Sequence, residues 1–389
     1  MPDLEALRQA IRLERVGGWL FSSFQHRDPL SESILGIDST VKNTRPWYYV
    51  VCSEGEPIKI VHQIEASVLD ALPGETFFYN SRSTLMQVLH NEVLPKARRL
   101  ACNFSPTLRI LSFLDFGTAL TLESCGFELV SAATLLQRFR GLLTPSMIDS
   151  HNRASDHLYD IVEKAWSFIQ TGLTKGGRVY EGEVRDFILK EFESRNLYTY
   201  SPPLVAAGKN SSNPHYSPQG RGEPILSEQM VQLDLWAKEQ GANGTYADIS
   251  WVGFSGPTPP PTIRETFQTL ITIRDQTVQY IERKIHHQIP VTGQEVDAYC
   301  RKLLQEAGLG EAIKHRTGHG IDREVHGSGV NLDSEEFPDD RYLLEGSCFS
   351  IEPGIYLEEY GMRTEVNGYI FQGKLHISGR GRQKELLLF

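Results

Sequence analysis

Asp234 stands inside an apolar run, VQLDLWA, whose length and composition read as a β-strand. A carboxylate buried there without a partner is costly, so any fold built on this strand must bring a cation or strong donors to it. A second aspartate, Asp248 in YADIS, follows the segment EQGANG, whose turn at 241 to 244 can join two strands as a hairpin. The hairpin would converge both carboxylates. Facing carboxylates repel one another unless a cation neutralises them, which is the physical case for metal. Singly, each aspartate is more often a cap or a turn residue.

The company these two keep lies downstream, in HRTGHGIDREVH, SIEPG and GMRTEV. These segments add His315, His319 and His326, then Glu352, then Arg363 with Glu365. Glycines on both sides of His319 leave room for the backbone to approach a metal or substrate closely. Spacings of four and seven residues within one glycine-rich loop can group the three imidazoles, of which only one need bind metal. For Glu365 the plain alternative is a surface pair with Arg363, worth little energetically. Carboxylates with a single imidazole suit manganese, cobalt or zinc, and two such ions held together need carboxylates that bridge. Asp234, Asp248, His319, Glu352 and Glu365 are the five candidate ligands.

At 389 residues the chain exceeds the usual size of a single core, so two domains are expected. Up to about residue 140, apolar runs such as WYYVVC and IKIVHQI alternate with helical stretches such as 81 to 97, the texture of an α/β layer domain. Residues 141 to 147, GLLTPSM, read as a linker, with Asp149 and Ser150 placed to cap the next helix. Beyond it lies a weak repeat. EVRDFILKEFESRN at 183 to 196 resembles EVDAYCRKLLQEAG at 295 to 308, each preceded by a long amphipathic helix, about 152 to 171 and 260 to 287. Two copies of helix, turn, helix and strands imply a pseudo-twofold domain carrying the candidate ligands on its strands.

A formal net charge of −10 disfavours nucleic acid and anionic membrane as partners. Five scattered cysteines without CxxC spacing read as reduced, buried thiols, and the charged opening lacks a signal peptide's apolar segment, so a cytoplasmic location is expected.

The stretch from about 150 to 389 resembles the pita-bread metallopeptidases, the family of Xaa-Pro aminopeptidases, prolidases and methionine aminopeptidases. The resemblance rests on the five ligand positions in order and on PPLVAAGKNSSNPHY, TGHGI, IEPGIY and GMRTE. It implies an α/β chain with a creatinase-type N-terminal domain over 1 to 145 and a C-terminal pseudo-twofold pita-bread (α+β) catalytic domain over 150 to 389. Two divalent cations follow from it, manganese ahead of cobalt or zinc, with Asp234 on one metal, His319 and Glu352 on the other, and Asp248 and Glu365 bridging. It further implies substrate contacts from His215, His315, His326 and Arg363, catalytic roles for His215, His326 and Glu352, and a homodimer. His315 and the leading domain point to Xaa-Pro peptidases rather than methionine aminopeptidases. Gly327 after His326, and Val366 and Asn367 after Glu365, depart from the family pattern. The expected activity is hydrolysis of the Xaa-Pro bond at the amino terminus of a peptide. A dipeptide-specific prolidase is the nearest alternative, with a creatinase-like small-amide hydrolase and a non-catalytic binding module behind it.

Overall fold

The computed structural model describes residues 2–389, which divide into two compact units, one ending at Arg140 and one running Gly141–Phe389. The first unit is built on a six-stranded mixed sheet in the order Glu75–Tyr79, Ile58–His62, Trp47–Cys52, Gly18–Ser23, Arg99–Cys102, Glu128–Ser131. Its apolar runs are continuous because both faces are covered. Trp19, Phe21, Trp47, Tyr49 and Val51 enter one core, while Leu20, Tyr48, Val50 and Cys52 enter the other, as a period of two requires.

In the second unit the helix Pro145–Thr174 starts earlier than its sequence suggests. Thr144 is the N-cap, its side chain accepting from the Met147 amide, and Pro145 takes the first turn. Asp149 and Ser150 therefore lie inside the helix and do not cap it, because Thr-Pro already supplies the cap oxygen and a residue with no amide to satisfy. Three of the seven residues expected as linker, Pro145 to Met147, are helix.

The remaining helices of the repeat run Glu181–Ser194, Pro261–His286 and Gly293–Glu306. Val184, Ile188 and Phe192 of one short helix, and Val296, Cys300 and Leu304 of the other, are buried. Strands Met230–Glu239 and Ala247–Phe254 form the antiparallel hairpin, flanked by Leu197–Tyr198, Leu204–Ala207 and Leu387–Leu388. A three-stranded sheet of Cys348–Ile351, Val366–Phe371 and Lys374–Ile377 and the ribbon of Gly354–Tyr356 with Gly361–Arg363 complete the unit.

Alternation along the hairpin decides where the site lies. Val231, Leu233, Leu235, Ala237, Ala247 and Ile249 pack into the core beneath helices Pro145–Thr174 and Glu181–Ser194. Asp234, Trp236, Asp248 and Ser250 consequently point to the opposite face. No helix of the described residues is long and apolar enough to cross a membrane. All five cysteines are buried and free.

Candidate metal centre

Register places Ser250 opposite Asp234 and Trp236 opposite Asp248, so four side chains share one face of the hairpin. Ser250 Oγ lies 2.5 Å from Asp234 Oδ1 and 3.1 Å from Glu365 Oε2. One hydroxyl hydrogen cannot fully satisfy two carboxylates. Arg363 adds a donor for Asp234. Its Nη2 donates to Asp234 Oδ2, its Nε to Ser250 Oγ at 2.9 Å, and its Nη1 to the Tyr356 hydroxyl at 3.1 Å.

His319 is fixed by the strand that carries Glu352. Ser350 Oγ accepts from the His319 amide at 2.9 Å and donates to Glu352 Oε1 at 2.9 Å, while the Glu352 amide donates to the Thr317 carbonyl. The glycines around His319 serve this packing. A Cβ on Gly318 would meet the Ser350 carbonyl oxygen at 2.0 Å, and one on Gly320 the Gly329 backbone at 2.5 Å. The absent side chains make room for neighbouring backbone.

Glu365 is buried, and the guanidinium two residues away turns to Asp234, so the plain alternative of a surface pair between Arg363 and Glu365 does not hold. The Glu365 amide donates to the Ser250 carbonyl at 3.3 Å, and Asn367 Oδ1 accepts from the Asp248 amide at 2.8 Å. The neutral Asn367 thereby anchors Asp248. Gly327 has an equally local explanation, because a side chain there would collide with the Asp322 carboxylate, which accepts from the Ser328 and Glu324 amides.

The three loop histidines separate. The His319 and His326 rings meet edge to face with centroids 4.3 Å apart. His315 instead contacts the Arg316 carbonyl through Nδ1 at 2.7 Å and the Tyr356 hydroxyl through Nε2 at 2.8 Å. A proton on Nδ1 satisfies both, with Tyr356 as the donor to Nε2. Burial, reinforced by Arg363, pushes the His315 pKa down to about 3, so this ring is neutral. His315 does not line the cavity described below; it orients Tyr356, which in turn touches Arg363.

One oxygen of Asp248, one of Glu365 and one nitrogen of His319 lie within 4.8 Å of one another. His319 Nε2 is 3.6 Å from Asp248 Oδ2 and 3.3 Å from Glu352 Oε1. Burial, then Asp234 and Glu352, drive the Asp248 pKa well up, and burial with Asp248 does the same to Glu365. Burial lowers His319, favouring the neutral imidazole that a metal requires. Asp248 Oδ1 and Glu365 Oε1 are buried with no hydrogen-bond partner. Acceptors converging on acceptors, with two oxygens unmatched, fit a hard or borderline divalent cation.

These groups open into a cavity of about 360 Å³ lined also by His215, His326, Glu352, Arg363 and the apolar Tyr200, Leu204, Trp236 and Val325. His215 and His326 are solvent-exposed on its wall. The His326 pKa is lowered, first by the adjacent His319 ring and then by burial of its inner edge. Sequence reasoning missed Ser250 and Trp236, though both are two residues from a candidate ligand on a strand and so share its face. It also missed Ser350, two residues before Glu352, and Tyr356 and Tyr200, for which no local signal exists.

The model of metallopeptidase family M24 matches residues 149–370, more than half of the chain. The chain belongs to this family. Among curated relatives, this M24 chain is 30% identical to the Xaa-Pro dipeptidase of Lactobacillus helveticus over 61% of its own length and 60% of that protein's. It thus spans less than two thirds of that relative. Solved structures share the M24 fold over nearly the whole chain. Dipeptidase PepE from Mycobacterium ulcerans aligns with a TM-score of 0.74 at 20% identity, covering 99% of this chain and 96% of that one. Xaa-Pro dipeptidase from Bacillus anthracis gives 0.68 at 20% identity, covering 99% of both.

Proposed function

We propose that the chain hydrolyses the bond between an amino-terminal residue and a following proline, as an Xaa-Pro aminopeptidase. Two divalent cations, manganese ahead of cobalt or zinc, would be held by Asp234, Asp248, His319, Glu352 and Glu365. The observation that carries this reading is the convergence of Asp248, His319 and Glu365, with unmatched carboxylate oxygens, on the floor of a cavity in an M24 chain. A bound metal pair supplies a polarised water and a polarised scissile carbonyl. Glu352, at the cavity and steadied by Ser350, carries the proton to the leaving proline nitrogen. His326 and His215, on the wall, hydrogen-bond the developing oxyanion, a contribution of about 3 kcal/mol per donor.

The dipeptidase reading has its own support. Two of the relatives above are named Xaa-Pro dipeptidase. Such an enzyme needs a cation for the product-side carboxylate, and Arg363 is already engaged by Asp234, Ser250 and Tyr356. Arg316 is the available alternative, since its charge bears on both His319 and His326. A homodimer in the cytoplasm completes the proposal, in keeping with five free buried thiols.

The test is hydrolysis of matched Xaa-Pro dipeptides and Xaa-Pro-Xaa tripeptides by metal-stripped protein resupplied with manganese, cobalt or zinc. Metal-dependent cleavage of the tripeptide is the expected result. Cleavage of the dipeptide alone moves the assignment to dipeptidase, and cleavage of neither overturns the Xaa-Pro reading.

A further inference from the structure

Glu181 opens the helix Glu181–Ser194, is fully buried and does not line the cavity. Its Oε1 accepts from the Ala207 amide at 2.8 Å and from Asn210 Nδ2 at 3.0 Å. Its Oε2 accepts from the Tyr216 hydroxyl at 2.7 Å and from the Glu223 amide at 3.0 Å. The Glu181 amide in turn donates to the Glu223 carbonyl at 3.0 Å. All four donors to the carboxylate belong to one stretch, 207 to 223, which leaves the strand Leu204–Ala207 and carries His215 to the cavity wall. Both ends of that stretch, and two points within it, are held by one side chain. The helix N-terminus at which Glu181 stands favours a carboxylate there. Packing leaves no slack: a Cβ on Gly182 would meet the Gly220 carbonyl oxygen at 2.3 Å, and one on Gly222 would meet Glu181 Oε2 at 3.0 Å.

Accepting the Xaa-Pro reading, we infer that Glu181 is a positioning residue for His215: it holds the loop 207–223 so that the imidazole stands at the cavity wall within reach of the developing oxyanion. His215 is exposed, so its place is set by its chain neighbours. The His215 amide donates to Asn213 Oδ1 and the Tyr216 amide to the Asn213 carbonyl, both at 3.1 Å, which makes 213 to 216 one turn. The Tyr216 hydroxyl ties that turn to Glu181, and Asn210 ties the residues before it. Every group facing the carboxylate is a donor, and a carboxylate accepts at both oxygens and donates at neither. A glutamine of the same shape turns its NH2 toward the Ala207 amide in one orientation and toward the Glu223 amide in the other, so one end of the loop loses its acceptor either way. A displacement of the ring by about 1 Å is enough to lower a rate about 100-fold.

The loop and the reaction are measured separately. Hydrogen exchange across 207–223 in the full chain is expected to quicken by about 10-fold or more in Glu181→Gln, while manganese affinity stays within about 2-fold of the unaltered value. With manganese, kcat/KM for an Xaa-Pro-Xaa tripeptide is expected to fall by about 10- to 100-fold. In a His215→Ala background, itself impaired, adding Glu181→Gln is expected to lower kcat/KM by less than about 2-fold, since no ring is left to place. Tyr216→Phe removes one hydroxyl from a partly buried residue and carries the same test, with a smaller loss, where Glu181→Gln fails to fold. Unchanged exchange across 207–223, an equal loss in both backgrounds, or full activity in His215→Ala overturns the positioning role. A fall in manganese affinity that matches the fall in rate also overturns it, by placing the effect at the metal ligands. Failure of the unaltered chain to cleave any Xaa-Pro peptide removes the Xaa-Pro reading; quickened exchange in Glu181→Gln then keeps Glu181 as the anchor of the His215 loop, and unchanged exchange overturns both.

Discussion

Arg363 is ion-paired with Asp234 inside the second unit, both side chains buried, and the same guanidinium reaches Ser250 and Tyr356. Its planar fork is what allows three partners at once. Arg363→Lys keeps the charge and loses the fork, so metal affinity or activity is expected to fall by about 10- to 100-fold, read by metal titration and steady-state rates. Arg363→Met leaves Asp234 unpaired and is expected to cost about 3–5 kcal/mol of stability in urea unfolding. Wild-type values in both variants would show that the fork organises nothing.

Asp248 is crowded by like charges and buried with one unmatched oxygen. Asp248→Asn removes a repelling charge, so the metal-free chain is expected to melt at the same temperature or higher than the unaltered one. The variant is also expected to lose the stabilisation by manganese, about 3 kcal/mol at a concentration 100-fold above Kd. A full manganese shift in Asp248→Asn would remove this residue from the metal set.

Gly318 faces the Ser350 carbonyl oxygen so closely that a methyl group cannot be placed without moving backbone. Gly318→Ala is expected to destabilise the chain by about 1–3 kcal/mol and to displace His319, whose amide and carbonyl both bond to Ser350. Metal affinity falls with it. The control Gly308→Ala lies in open space but at a φ of +75°, so it suffers backbone strain without touching the centre and is expected to leave metal affinity intact.

His151, fully buried, contacts the Tyr246 carbonyl through Nδ1 and Ser378 Oγ through Nε2, both at 2.6 Å. Burial pushes its pKa down from 6.5 to about 4. The folded chain therefore refuses a proton that the unfolded chain accepts below pH 6.5. Its contribution to stability is full above 6.5 and is lost as pH falls toward 4, by about 3 kcal/mol at about 1.4 kcal/mol per pH unit. The difference in urea stability between the unaltered chain and His151→Gln should shrink by this amount across that window. A constant difference would show that His151 does not titrate there.

The alternation of VQLDLWA and YADIS, with a turn between them, was enough to place Asp234 and Asp248 on one face of a hairpin, because side-chain direction along a strand has a period of two and needs no other information. The 3.6-residue period of a helix, equally local, set the paired helices of the second unit, where Val184, Ile188 and Phe192 of one and Val296, Cys300 and Leu304 of the other are buried. Sequence could not decide which partner Arg363 takes. Glu365 is two residues away along the chain, but the ribbon Gly361–Arg363 lies beside the hairpin and delivers the guanidinium to Asp234. Nor could it separate His315 from His319 and His326, since spacing within a loop fixes reach and not direction. Contacts between residues more than a hundred positions apart, such as Asn367 with Asp248 and Ser250 with Glu365, exist only once the two sheets close on each other. The residue types that could form a metal centre were thus written locally, whereas its donors, orphaned oxygens and apolar wall were decided by long-range packing.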